Sequence, residues 1–133
     1  MLSRQFMRFA MAGALGFVVD AGVLYLATSL GAGLYLGRAM SFFSAVFVTW
    51  QINRKITFNY GDHVPRSLWQ EWWRYCWAMM LGGAINFSAY AATMHFAPVR
   101  SWTPLLGVAV GTGMAMLWNF FFSKFWVFRS EQK

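Results

Sequence analysis

Acidic residues are scarce in this chain: Asp and Glu together number 4 among 133 residues, against 11 Lys and Arg. Cysteine occurs once, as Cys76, which excludes an intramolecular disulfide and leaves an inert core residue as its simplest role. The two histidines, His63 and His95, have no second ligand at metal spacing, so no metal site is expected where zinc needs three or four donors. Paired carboxylates, a Ser-His-acid set and a glycine-rich nucleotide loop are all missing from the sequence. Neither catalysis nor a bound cofactor is therefore expected.

What fills the chain instead is apolar. A content of 59% hydrophobic and 11% charged residues lies outside the usual range of a soluble domain. Four runs are long enough to cross a bilayer, which takes about 20 mostly apolar residues rising ~1.5 Å each: 7–30, 36–53, 75–97 and 105–122. The second is the weakest, with Arg38, Gln51 and Asn53 near its ends. A cleavable signal peptide is another reading of the first run. That run, however, exceeds the roughly 7 to 15 apolar residues of such a segment and contains Asp20. The expected fold class is all-α: an integral membrane four-helix bundle in one domain, residues 1–133, with a loop at 59–73.

Charge orients these spans, because short loops rich in Lys and Arg stay cytoplasmic. With four crossings the termini and the central loop share one side, which holds Arg4, Arg8, Arg54, Lys55, Arg66, Arg74, Lys124, Arg129 and Lys133. The opposite side holds only Arg38 and Arg100, so both termini are expected in the cytoplasm. The net charge of +7 then lies beside anionic lipid, and no soluble basic face is left for nucleic acid.

The two halves repeat. RFAMAGALGFVVD (Arg8 to Asp20) aligns without a gap on RYCWAMMLGGAIN (Arg74 to Asn86), and RKITF (Arg54 to Phe58) on KFWVF (Lys124 to Phe128). Each repeat contains an even number of crossings, so the two are expected to be parallel, related by a pseudo-twofold along the membrane normal. The outer connections, Gly31 to Tyr35 and Pro98 to Pro104, are short turns with Gly and Pro as breakers, which implies tight helical hairpins. In the central loop Pro65 precedes Ser67, and Ser67 followed by Gln70 fits a capping box, so the third helix is expected to begin near Leu68. Its first turns then lie at the headgroup layer, where Trp69, Trp72, Trp73 and Trp77 form an aromatic belt or, alternatively, a docking surface.

Every span carries small or polar residues at intervals of four: Ala12, Gly16 and Asp20; Ser41, Ala45, Thr49 and Asn53; Ala78, Gly82 and Asn86; Gly107, Gly111, Ala115 and Asn119. Such spacing places them on one helix face, where small residues allow close backbone approach in lipid. Asp20 is the sole ionisable residue of its stretch, and a carboxylate in hydrocarbon is unfavourable by roughly 2.5 to 3.5 kcal/mol on insertion scales. It is expected to face the bundle interior with Asn86 at matching depth, both ~18 Å along their helices from Arg8 and Arg74. Asn53 and Asn119 fall near the cytoplasmic surface beside Arg54, Lys55 and Lys124. Cations at an interface attract phosphate, and Asp with Asn suits sugar hydroxyls. The plainer alternatives are topological anchoring for the cations, interhelical hydrogen bonding for the amides, and a structural hydrogen bond for Asp20.

The RF opening, the Asp of the first span, Asn53-Arg54 with Thr57-Phe58, and Asn119-Phe120 leading to Lys124 and Trp126-Val127-Phe128 resemble the GtrA-like family of four-span membrane proteins over about Phe6 to Arg129. The resemblance implies translocation of a polyprenyl-phosphate-linked sugar, typically undecaprenyl-phosphate glucose, across the inner membrane of a bacterium, beside a membrane glycosyltransferase. It also implies that Asp20, Asn53, Arg54, Asn119 and Lys124 occupy the family's polar motif positions. Ser123 departs from a second Asn-Arg pair, so the two halves are not expected to be equivalent. On this basis Arg8, Arg54, Lys55, Arg74 and Lys124 are candidates for phosphate capture. Asp20 and Asn86 are candidates for hydroxyl contacts, and Asn53 and Asn119 for the entrance. Trp50, Tyr25 and Tyr90 can stack on a sugar face or simply pack.

Two rival classes share these features: a membrane adaptor that recruits the glycosyltransferase, and a proton-coupled exporter using Asp20. A homo-oligomer is also expected of so thin a bundle, with Gly107 and Gly111 as a candidate seam. Asp20→Asn is expected to abolish or sharply reduce delivery of sugar to the outer leaflet at unchanged protein level; normal delivery would remove Asp20 from the transport path.

Overall fold

Within hydrocarbon a chain must close its backbone hydrogen bonds on itself, and the described residues of this chain do so with helices. The computed structural model describes residues 2–58 and 67–128; His63, Pro65, Arg66, Arg129 and Lys133 lie outside them. The described residues form α1 (Leu2–Ser29), α2 (Leu34–Ile52), α3 (Leu68–Phe96) and α4 (Thr103–Phe122). A single π-helical turn continues α2 over Asn53–Thr57 (π1), and another continues α4 over Ser123–Val127 (π2). The chain divides into two compact units, Met1–Val64 and Pro65–Lys133, each a helical hairpin closed by its own π turn.

Among the described residues, two helical segments are long and apolar enough to cross a membrane by length and composition, Leu2–Ser29 and Thr103–Val127. By that measure α2 and α3 fall short. The 19 residues of α2 include Arg38, and the apolar stretch of α3 is interrupted by Asn86 and Ser88.

The first hairpin turns where the sequence supplies glycine. Gly31 has φ +94°, the left-handed region that glycine enters without Cβ strain. The Ala32 N–H donates to the Ala27 carbonyl at 2.9 Å and the Gly31 N–H to Thr28 at 3.2 Å, the paired bonds of a Schellman motif. In the second hairpin Thr103 ties the turn instead. Its hydroxyl donates to the Pro98 carbonyl at 2.6 Å and accepts from the Arg100 N–H at 3.0 Å. The third helix does begin at Leu68, but the Ser67 side chain makes no capping hydrogen bond. Its backbone carbonyl accepts from the Glu71 N–H at 3.1 Å, so the capping box inferred from Ser67 and Gln70 is not formed.

Each hairpin is held along the small-residue lines. A Cβ at Gly16 would overlap the Thr49 methyl, and one at Gly82 would overlap the Asn119 amide. At Gly111 it would overlap the Asn86 side chain and come within 2.6 Å of the Asn86 backbone oxygen; at Gly107 it would meet the Tyr90 ring at 2.8 Å. Gly107 and Gly111 are therefore spent on packing α4 against α3, which corrects their assignment as an oligomer seam. At the far end of each unit an aromatic pair closes the core, Phe9 with Phe58 at 6.1 Å and Tyr75 with Phe128 at 5.9 Å between ring centroids. All four rings are buried.

Gly111→Ala is expected to destabilise the chain by about 1–3 kcal/mol, the usual range for overpacking, because the Asn86 backbone oxygen opposes the added carbon together with the Asn86 side chain. Gly113→Ala, with nothing within 4 Å of the added carbon, should be neutral or better. Thermal unfolding in detergent compares the two.

Candidate functional site

The polar residues of unit 1 collect at two levels. At the π end, the Phe58 N–H reaches back five residues to the Asn53 carbonyl at 2.8 Å, the bond that defines the widened turn. This turn packs against both α1 and α2. Asn53 is buried at 1% exposure, and its Oδ1 accepts from the Thr57 hydroxyl at 2.9 Å across one turn. Arg8 of α1 donates from Nη1 to the Ile56 carbonyl at 3.2 Å. That bond draws Arg8 to the same turn as Arg54 and Lys55, so three of the cations expected to capture phosphate gather at one end of the unit. Arg54 is half-buried and Lys55 exposed.

Unit 2 repeats the geometry with different chemistry. The Phe128 N–H donates to the Ser123 carbonyl at 2.9 Å, and the π turn again packs on both helices. The Arg74 guanidinium lies 5.6 Å from the centroid of the Trp126 ring, and the Lys124 ammonium 5.7 Å from that of Phe125. Ring faces thus hold the cations here, each contact contributing about 0.5–1 kcal/mol where exposed. Arg74 and Lys124 are brought to one end of unit 2 as Arg8, Arg54 and Lys55 are in unit 1.

The second level is occupied differently. Asp20 accepts from Arg38 Nη1 at 2.6 Å, an ion pair between α1 and α2. The same Nη1 lies 3.4 Å from the Ser41 hydroxyl, which in turn donates to the Arg38 carbonyl at 2.9 Å. Asn86 packs its side chain over Gly111, and Asn119 packs over Gly82. Asn119 is therefore not the counterpart of Asn53. Aligned on the π turns, Asn53 corresponds to Ser123 and Asn119 to Thr49, so Asn119 stands one helical turn, ~6 Å, further from its π turn. Among the described residues the Asn119 Oδ1 and the Ser123 Oγ are buried without a hydrogen-bond partner.

Of the aromatic candidates, Trp50 is buried beside Phe47, Tyr90 covers Gly107, and Tyr25 is exposed. Along α3 and α4 an apolar groove of about 680 Å³ runs past Leu81, Ile85, Ala89, Val110, Met114 and Trp118. It continues as a second hollow of about 570 Å³ past Phe121 and Phe122 to Phe125, the ring beneath Lys124. Trp118 stacks on Phe122 at 4.1 Å.

These features, cations gathered at helix ends and small-residue packing between long apolar helices, extend over most of the chain. The family described as GtrA/DPMS, transmembrane domain, matches residues 8–128. The chain belongs to the GtrA-like family. No curated protein sequence matches it. Membership makes it a membrane protein, and its matched segment runs from Arg8 to Phe128, the positions that pair with the two π turns in this structure.

Two features of this GtrA-like chain escaped sequence reasoning. Arg38 reads as an outer-side cation by charge alone, yet the four residues between α1 and α2 require antiparallel neighbours. Asp20 stands eleven residues before Gly31 and Arg38 seven after it. The four-residue mismatch, ~6 Å, is within the reach of an arginine, so counting from the turn finds the pair. The Asn53–Thr57 bond was equally legible as polar residues four apart on a helix. Thr57→Val keeps the shape and removes that buried donor. It is expected to cost about 1–2 kcal/mol in thermal or denaturant unfolding.

Proposed function

We propose that this GtrA-like protein translocates a polyprenyl-phosphate-linked sugar, undecaprenyl-phosphate glucose or a related monosaccharide, from the cytoplasmic to the outer leaflet of a bacterial inner membrane. It acts as a carrier rather than a catalyst. The observation that carries the reading is the Arg8 to Ile56 hydrogen bond, which joins Arg8 to Arg54 and Lys55 at one end of unit 1. Arg74 and Lys124 supply a matching end in unit 2. In this reading all four helices cross the membrane, both termini are cytoplasmic, and the cationic ends face the leaflet where the lipid-linked sugar is made. Bidentate arginine suits the phosphate, and Asp20, Asn86, Asn53 and Asn119 offer the donors and acceptors that sugar hydroxyls need. The isoprenoid tail stays in hydrocarbon, for which the apolar groove of unit 2 offers a course. Assembly into a homo-oligomer completes the proposal.

A second reading has its own observation. Trp69, Trp73 and Trp77 stand four residues apart on α3, all exposed, with Trp69 and Trp73 in edge contact at 5.5 Å. Such a stripe suits an interface with headgroups, and equally a contact with a membrane glycosyltransferase that the chain would recruit or stabilise.

Purified protein in liposomes, without glycosyltransferase, separates the two. The wild-type chain is expected to accelerate transbilayer movement of a labelled polyprenyl-phosphate sugar. Arg54→Gln with Lys55→Gln should slow it by roughly tenfold or more, about 1.4 kcal/mol of transition-state binding. Absence of movement with the wild-type chain would favour the adaptor.

A further inference from the structure

The ion pair between Asp20 and Arg38 has no counterpart in unit 2. Aligned on their helices and π turns, Asp20 corresponds to Asn86 and Arg38 to Val108. The second hairpin nevertheless forms with the same close helix contact, Asn86 lying over Gly111. An ion pair is thus not what brings two such helices together.

The direction of the Arg38 side chain is equally informative. Gly37, its neighbour, stands level with Leu24 and Thr28 of α1, since a Cβ there would meet the Thr28 methyl at 3.2 Å and Leu24 at 3.5 Å. Asp20 is a further turn along α1, ~6 Å deeper from the connecting turn. An arginine one turn inside a membrane helix ordinarily extends toward the nearer interface. Here the guanidinium turns the other way and is held by the carboxylate at 2.6 Å. It is not enclosed: the Arg38 side chain is 58% exposed against 21% for Asp20, with exposed Phe17 and Val18 on the same stretch of α1. A charge left open among apolar surfaces calls for a polar companion beyond its one carboxylate.

We propose that Arg38 is a second phosphate-binding residue of unit 1, positioned by Asp20, and that it receives the phosphate of the lipid-linked sugar toward the α1–α2 turn end. This rests on the translocation reading. Guanidinium has five N–H donors in a planar fork; Asp20 takes one, and Ser41 lies at 3.4 Å from the same nitrogen. The remaining donors are available to a phosphate in bidentate geometry. Arg8 and Asp20 are twelve residues apart on one helix, so the two cationic stations are separated by ~18 Å, well under a bilayer core of ~30 Å. Asp20 keeps Arg38 inside the membrane and competes with the arriving anion, which limits how tightly the phosphate is held there and so permits its release.

The first measurement needs neither a variant nor transport. The full-length protein in nanodiscs is treated with a guanidine-modifying dicarbonyl, with undecaprenyl phosphate or an equal amount of phosphatidylglycerol added, and modification of Arg38 is followed by mass spectrometry. Undecaprenyl phosphate is expected to slow modification at least threefold and phosphatidylglycerol to leave it unchanged. Equal protection by both would assign Arg38 to bulk lipid, and no protection would remove it from any phosphate path; either result overturns the proposal. The second measurement exchanges the charges, Asp20→Arg with Arg38→Asp. The exchanged protein is expected to keep the thermal midpoint of the wild type and lose liposome translocation by tenfold or more, and so is Arg38→Gln at near-normal stability. Recovery of translocation in the exchanged protein would make the pair an interchangeable brace. If the wild-type chain moves no lipid, translocation fails as a function while the protection measurement still decides whether Arg38 meets the lipid phosphate.

Discussion

Two helices whose backbones meet across glycine are fixed in register, and register decides which side chains stand at the same level. In unit 1 the contact of Gly16 with Thr49, and of Gly37 with Leu24 and Thr28, fixes how far along α1 an arginine of α2 can reach. In unit 2 Gly82 accepts Asn119 and Gly111 accepts Asn86, so two amides are seated in notches on the opposite helix. Packing of this kind does not rely on expelling water, which is why small residues rather than large apolar ones line it. Many of the large apolar side chains are instead exposed, Leu15, Phe17, Met114 and Leu117 among them. That inversion of a soluble core is what a bilayer solvent asks of a helical hairpin.

On this shared frame the two units have diverged in chemistry. Unit 1 carries an ion pair where unit 2 has Asn86 and Val108, and an Asn53–Thr57 hydrogen bond where unit 2 has Ser123 and Val127. Arg8 of unit 1 donates to a backbone carbonyl, whereas Arg74 and Lys124 of unit 2 lie over Trp126 and Phe125. A guanidinium donating one bond to a carbonyl still has donors to offer. One stacked on an indole is shielded on a face. Unit 1 is thus the more polar partner, and unit 2, with its groove between α3 and α4, the more apolar one.

Much of this was legible in the residues. The all-α class follows from long apolar runs, and the lines of small residues mark the faces that α1, α2, α3 and α4 bury. The start of α3 at Leu68 was correctly located from Pro65 and Ser67, though its capping bond is not the one expected. What sequence reasoning missed has a common cause. Asn53 and Asn119 were expected at one level, although the alignment of RKITF on KFWVF already sets Ser123 opposite Asn53; an insertion of four residues between the matching segments puts Asn119 one turn further from its π turn. Arg38 was sorted by side of the membrane, although the hairpin brings it level with α1. In both cases topology outranks composition, and spacing from a turn is the more faithful ruler.

The π turns themselves bear on how such a protein can change. Each holds one more residue per hydrogen-bonded loop than the helix before it, so everything beyond is rotated by roughly 100° relative to an uninterrupted α-helix. Loss of a single codon within Asn53–Thr57 would therefore swing the following side chains a quarter of the way round the barrel of the helix, taking Phe58 off its perch against Phe9. Deletion of the Asn53 codon in particular would be a steering event: without altering any charge, it would re-aim the basic cluster and undo the aromatic latch in one step.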